Sequence, residues 1–141
     1  MSYVYVGIQF VCLGFILMTG PWLAKTPILL AIELIGVALG LWAVLTMKLR
    51  NLSALPDMNP DRPLQKKGPY RWIRHPMYSA LLLFMLALVV EEWTYGRGLV
   101  WVVLLVNLTL KLHYEEFLLV QIFPDYHAYQ KRTHKLIPWI W

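Results

Sequence analysis

The 141 residues suffice for one domain, and 59% of them are hydrophobic against 15% charged, where a soluble domain carries about 45–50% and about 25%. Both departures exclude the ordinary soluble class and point to a chain that faces lipid. The formal charge of +5 does not indicate a nucleic-acid partner, because the basic residues are confined to short stretches between apolar runs, where they serve as topology signals and anion contacts.

The first apolar stretch covers residues 3–23. It lacks the features of a cleaved leader: no Lys or Arg precedes it, and Gly20-Pro21-Trp22 offers no small-residue cleavage site, so it reads as a retained membrane helix. Cys12 lies inside it, with no second cysteine for an internal disulfide and no metal-ligand spacing around it. An inert buried thiol and no metal are the expectation. The second stretch covers residues 27–47. Gly36 and Gly40 form a GxxxG pair, which lets helix backbones approach closely, within the chain or between chains as a homo-oligomer. Glu33 shares this helix. A carboxylate is costly in lipid, so it faces a polar cavity, is protonated or lies near the non-cytoplasmic surface, and its nearness to Pro27 favours the surface.

A loop over residues 48–75 follows, rich in Pro, Asn, Asp and basic residues. Its prolines rule out one long helix, and its length marks it as functional or disordered. The third stretch starts at Pro76 and has 15 uncharged residues before Glu91, short of the roughly 20 that cross a bilayer. It spans if Trp93 and Tyr95 extend it or the bilayer thins; a buried hairpin with the fourth stretch, residues 98–119, is the competitor. Beyond Pro124 a short helix is predicted over residues 125–133. Ile137, Trp139, Ile140 and Trp141 form an aromatic and apolar anchor at the membrane surface.

Charge sets the orientation. Lys48, Arg50, Arg62, Lys66, Lys67, Arg71 and Arg74 lie between the second and third stretches, and Lys111, Lys131, Arg132 and Lys135 near or beyond the end of the fourth; only Lys25 and Arg97 fall on the other side. The positive-inside rule puts the long loop and the tail in the cytoplasm, and with four spans the N-terminus too. The fold expected is all-α, a polytopic transmembrane helical bundle of about four spans with a short C-terminal helix, forming one membrane-embedded domain over residues 1–141.

Three features converge at the cytoplasmic ends. Lys67-Gly68-Pro69-Tyr70 is a turn signal in which Gly68 permits close backbone approach to a ligand. In Arg74-His75-Pro76-Met77-Tyr78, Pro76 suits the first helical turn and holds His75 extended. Arg74, the helix dipole and the free N–H groups of that turn suit an anion. Glu115-Glu116 ends the fourth stretch beside His113 and Tyr114. Two adjacent carboxylates repel and oppose the helix dipole there, so a cationic or hydroxyl-rich partner is expected nearby.

The string GPYRWIRHPMY, the Glu-Glu pair, then Phe123-Pro124-Asp125-Tyr126 with Tyr129, closely resembles the isoprenylcysteine carboxyl methyltransferase and phospholipid methyltransferase families, integral membrane enzymes that use S-adenosylmethionine. The resemblance covers about residues 64–138 and includes the ending Lys135-Leu136-Ile137-Pro138. It implies a cytoplasmic cofactor pocket lined by Gly68, Pro69, Tyr70, His75, Tyr78, Glu115 and Glu116, with Arg74 near the reacting group and Arg74 and His75 in catalytic roles. It further implies methyl transfer to a lipophilic or lipid-linked acceptor, a carboxylate, thiol or amine, among membrane lipids. His75, His113 or a carboxylate would assist an acceptor that must lose a proton. Ala80 stands where the family usually has glycine, which bears on helix packing more than on chemistry. The first two stretches carry no recognised motif.

Two other readings compete. Membrane NADPH-dependent sterol reductases carry a related motif that reads RHPNY followed by glycine and an acidic residue; Met77, Ser79, Ala80 and Leu81 depart from it. A non-enzymatic membrane interaction protein with the same fold would bind neither cofactor.

Overall fold

The computed structural model describes residues 2–47, 64–138 and 140, and these form an all-α fold. The described α-helices are α1 (Ser2–Met18), α2 (Pro27–Met47), α3 (Pro76–Glu91), α4 (Tyr95–Ile122) and α5 (Tyr126–Gln130), with one 3-10 turn at Gly68–Arg71. Most of the predicted middle loop, residues 48–63, lies outside the described residues, as do Trp139 and Trp141 of the predicted anchor. Ile137 and Ile140 are exposed.

The helix starts follow local chemistry. Pro27 and Pro76 both occupy the first helical turn, where the absent N–H is no loss. At α4 the Thr94 side chain accepts a hydrogen bond from the Arg97 N–H at 3.2 Å, a regular N-cap. α4 runs three residues beyond the predicted 98–119 stretch at each end, and two other helix ends fall short of expectation. α1 stops at Met18 and not near residue 23, because Gly20 and Pro21 break the helix. Thr19 Oγ1 donates to Phe15 O at 2.6 Å and Trp22 Nε1 to Leu17 O at 2.7 Å, closing its last carbonyls. α5 ends at Gln130 and not at residue 133.

α2 packs on α3, α1 packs on α4, and α3 meets α4 between them, so α3 is the central helix. Cys12, Ile16, Met85, Leu88, Leu108 and Leu112 join the buried core. The outward surfaces are apolar as well. In α2 the buried residues are Glu33, Gly36 and Ala43, while Leu34, Ile35, Leu41 and Leu45 are exposed. A helix apolar on its outer face that keeps its carboxylate inside is matched to lipid and not to water. α2 and α4 are long and apolar enough to cross a membrane; α1, at 17 residues, and α3, at 16, are shorter.

The GxxxG pair is used within the chain. A Cβ on Gly36 would lie 3.0 Å from both Ala80 O and Phe84 N, and one on Gly40 would lie 3.4 Å from Ala80 Cβ. The face considered for a homo-oligomer is therefore occupied by α3. It also answers the departure at Ala80: the small residues that bring the two backbones together stand on α2, and α3 tolerates a methyl group there.

At the end of the bundle formed by the loop after α1, Glu33 is buried and accepts the Ala24 N–H at 2.8 Å. That loop covers the carboxylate, so its charge is met by a backbone N–H inside the protein. Glu91 accepts the Thr26 N–H at 3.1 Å, fastening the end of α3 to the start of α2. Arg97 is fully buried and donates to Leu88 O at 2.7 Å. Its guanidinium fills the space a Cβ on Gly20 would take, so Gly20 is required for that packing.

Candidate functional site

At the opposite end, the start of α3 faces the C-terminal part of α4, and the tail closes over both. The tail is held by backbone pairing: Arg74 N donates to His134 O at 2.8 Å, His75 N to Lys135 O at 3.1 Å, and His134 N to Trp72 O at 2.9 Å. Ile73 and His134 form a parallel bridge. Ser79 Oγ donates to Leu136 O at 2.5 Å, and the Leu136 side chain enters the core. The Lys135-Leu136-Ile137-Pro138 ending is thus the strap that seats the Arg74-His75 segment.

Inside this strap the predicted residues gather. Arg74 Nε donates to Glu116 Oε1 at 2.6 Å, with both side chains buried. Arg74 Nη1 donates to Thr133 O at 2.5 Å and Gln130 O at 3.1 Å. His75 Nε2 lies 3.3 Å from Glu116 Oε1, and His75 Nδ1 lies 3.6 Å from Glu115 Oε2. Tyr78 OH donates to Glu115 Oε1 at 2.6 Å, and its ring stacks on His75 with centroids 5.4 Å apart. Gln130 Nε2 donates to Glu116 Oε2 at 3.2 Å.

The partner expected for the paired carboxylates is therefore Arg74, His75 and the Tyr78 hydroxyl. The converse is also true: the anion at the start of α3 is the chain's own Glu116. The two carboxylates are not equivalent. Both oxygens of Glu116 are engaged by protein groups, whereas Glu115 holds one strong hydrogen bond, from Tyr78, and keeps acceptor capacity.

Tyr70 sits behind this cluster. Its carbonyl accepts from Tyr129 OH at 2.6 Å. Burial, and secondarily the charge of Glu115, push its phenol up to about 12, so it is a neutral donor at physiological pH. Burial likewise raises Tyr126 and Tyr129. Pro69 is buried, and its carbonyl accepts from Trp72 and Ile73 to close the 3-10 turn. Gly68 has φ 58°, and a Cβ there would run into Thr46. Its close approach is to the end of α2, a structural need distinct from the ligand contact expected of it. His113 points outward: Nδ1 lies 2.7 Å from Thr109 O and Nε2 3.0 Å from Lys135 Nζ, apart from the His75 cluster.

Three participants were not singled out by motif. Gln130 and Thr133 hold Glu116 and Arg74 from the tail, and nothing in their spacing marks them. Lys111 was counted as a topology charge, yet it is buried, with Nζ 5.1 Å from the Tyr78 ring centroid and 3.4 Å from Gln9 Oε1. Its position one helical turn before Glu115 was the available signal.

Residues 28–126, more than half of the chain, match the family model described as phospholipid methyltransferase. The chain belongs to the phospholipid methyltransferase family. No curated protein gives a significant match. The family region begins in α2 and takes in the 3-10 turn, α3 and α4, so α2, which carries no recognised motif, is part of the family's framework. Members of this family are membrane methyltransferases that use S-adenosylmethionine. The donor set at the start of α3 fits that cofactor chemically: a carboxylate with spare acceptor capacity for an amine or ribose hydroxyls, and neutral phenols beside it.

Proposed function

We propose that this phospholipid methyltransferase family member moves a methyl group to a lipophilic acceptor, a carboxylate, thiol or amine, at the cytoplasmic face of its membrane. The supporting observation is the closure of Arg74, His75 and Tyr78, at the start of α3, onto Glu115 and Glu116 of α4. In this reading the whole chain is one membrane-embedded domain of four spans, with both termini in the cytoplasm. The short α1 and α3 are accommodated by local thinning and interfacial residues such as Trp22 and Trp93. α3 is sheathed by its neighbours, so lipid does not have to match its length directly.

S-adenosylmethionine supplies an activated methyl group on a sulfonium. Glu115 would hold the cofactor's amine or ribose hydroxyls, and Tyr78 fixes the orientation of that carboxylate. Gly68, Pro69 and Tyr70 shape the wall behind. Glu116 orients Arg74 and His75. Arg74 stands at the acceptor side, where its remaining Nη2 suits an anionic oxygen of the acceptor. His75, between the two carboxylates, is placed to take a proton from a thiol or amine acceptor. Positioning is the main demand of an in-line methyl transfer, and this hydrogen-bonded cluster is suited to it.

Incubating purified protein and membrane extract with methyl-labelled S-adenosylmethionine tests the reading. A labelled lipophilic product is expected. Calorimetry in detergent should show binding of the cofactor or its demethylated product and little binding of NADPH; the reverse preference would favour the reductase chemistry, and binding of neither a non-enzymatic role.

A further inference from the structure

A second feature lies on the outer side of the same tail. An open cleft of about 680 Å³ is formed between the segment before α3 and the segment carrying α5. Its lining brings together Lys66, Arg71 and Arg132 against a single carboxylate, Asp125. Three cations converging on one concavity repel each other, and among the described residues none of the three is in an ion pair. Two of them lie near aromatic faces: Arg71 is 5.9 Å from the Trp72 ring and Lys66 is 6.0 Å from the Tyr129 ring. Such contacts hold the cations in place without neutralising them. The chemistry that completes the cleft is an anion with several acceptor oxygens, for which arginine is the preferred partner.

The surroundings indicate what carries that anion. Trp72 is half exposed, and its ring lies 5.9 Å from that of Trp42, near the end of the apolar helix α2. Leu41 and Leu45 continue an exposed apolar surface along that helix. The cleft thus stands where apolar helix surface gives way to basic surface, with tryptophans at the boundary, as at a membrane interface. A free anion has no use for the apolar wall. A phospholipid uses both parts: phosphate in the cleft, acyl chains along α2.

We propose that this cleft is a seat for the phosphate of an anionic phospholipid, an inference that rests on the chain's being a membrane protein. The seat adjoins the Arg74 cluster through two residues. Thr133 lines the cleft and its carbonyl holds Arg74 Nη1; Tyr129 lines it and its hydroxyl holds Tyr70 O. A lipid bound here braces the tail that seats Arg74.

The test uses detergent-solubilised full-length protein and the thermal midpoint as readout, titrated with a short-chain phosphatidylglycerol, the matching phosphatidylcholine, and inorganic phosphate. Phosphatidylglycerol is expected to raise the midpoint saturably and phosphatidylcholine to do so more weakly. The double variant Arg71→Gln/Arg132→Gln should weaken half-saturation by about tenfold or more, from the loss of two cations at an anionic headgroup. Lys25→Gln, at the other end of the bundle, should leave it unchanged. Both arginines are exposed, and each single variant gives an intermediate value should the double variant fold poorly. An equal shift with inorganic phosphate would overturn the lipid assignment in favour of a free-anion site. An undiminished shift in the arginine variants would overturn the seat itself. The readout does not involve methyl transfer, so failure of the labelled-methyl assay beside an intact lipid shift would count against the enzymatic reading alone.

Discussion

Arg74 Nε and Glu116 Oε1 lie 2.6 Å apart, joining the first residues before α3 to the last turns of α4. Each is buried, and each is also held from the tail, Arg74 by Thr133 and Glu116 by Gln130. Breaking a buried pair by removing one member leaves an uncompensated charge, a loss of about 3–5 kcal/mol. Arg74→Gln and Glu116→Gln should therefore each lower the unfolding midpoint. The double variant should be less damaged than the sum, with a coupling of about 0.5–3 kcal/mol. Arg74→Lys should not restore the wild type, because the contacts to Glu116 and Thr133 are made from two separate nitrogens, Nε and Nη1, which a single ammonium does not reproduce. Strict additivity in a thermal or denaturant cycle would show that the pair is not a unit.

The α2/α3 contact makes opposite forecasts for two glycines of one motif. At Gly36 a new methyl group would meet backbone atoms of Ala80 and Phe84 at 3.0 Å, and backbone cannot move aside. Gly36→Ala should destabilise by about 1–3 kcal/mol, the usual result of overpacking. At Gly40 the neighbour is Ala80 Cβ at 3.4 Å, an ordinary contact. Gly40→Ala should be close to neutral or slightly stabilising, since alanine is the better helix former. Unfolding midpoints of the two variants, measured side by side in the same detergent, check the contrast.

Tyr70 ties stability to alkaline pH. Its phenol is raised in the folded chain to about 12 from the usual 10. A group whose folded value is raised contributes stability that is fully present below the unfolded value and lost as pH rises through the folded one. Stability should accordingly fall between about pH 10 and pH 12; Tyr126 and Tyr129, also raised by burial, share that loss, so Tyr70→Phe should make that part of the profile less steep without abolishing it. Ultraviolet titration of phenolate formation alongside thermal melts would show it; an unchanged profile in the variant would assign the alkaline loss to other groups.

Much of this site was legible from residue order. Pro76 marks the start of α3, and the need of Glu115 and Glu116 for a cationic or hydroxyl partner follows from charge alone. The identity of the partner was not legible. Arg74 and Glu116 are far apart in sequence, and nothing local tells an arginine awaiting a ligand from one that binds its own chain's carboxylate. The same holds for Gln130 and Thr133, polar residues in a tail whose place depends on backbone pairing between Ile73 and His134. The burial of Lys111 was not legible for a related reason: its place near a helix end says nothing of the α1 residue, Gln9, that meets it. The end of α1 was set by Gly20-Pro21, a signal visible in the sequence but outweighed by the apolar residues after it.

The four-span arrangement predicts opposite locations for two tags. A reporter fused after Trp141 should read cytoplasm, and one inserted at Gly96, itself exposed at the start of α4, should read the other side. The basic residues between α2 and α3 and in the tail motivate this. Both tags on one side would remove the four-span arrangement and favour α3 and α4 as a buried hairpin.

The inequality of the two carboxylates yields the sharpest forecast. Glu116 accepts from Arg74 on one oxygen and Gln130 on the other, so removing it disturbs the tail and the start of α3 together. Glu115 receives Tyr78 OH on Oε1, and His75 Nδ1 lies 3.6 Å from its Oε2, beyond hydrogen-bond distance. If Glu115 is the residue that meets the cofactor, Glu115→Ala should weaken binding of S-adenosylmethionine by about 1–3 kcal/mol, the range for a charged hydrogen bond, with a small change in the unfolding midpoint. Glu116→Ala should do the reverse, lowering the midpoint sharply. Tyr78→Phe should reproduce part of the Glu115 effect, because it frees the carboxylate that the hydroxyl orients. Calorimetric affinities paired with melting curves for the three variants decide the matter. Equal affinity losses for Glu115→Ala and Glu116→Ala, with equal midpoints, would mean that both carboxylates contact the cofactor and that the Arg74 bond to Glu116 gives way when it binds.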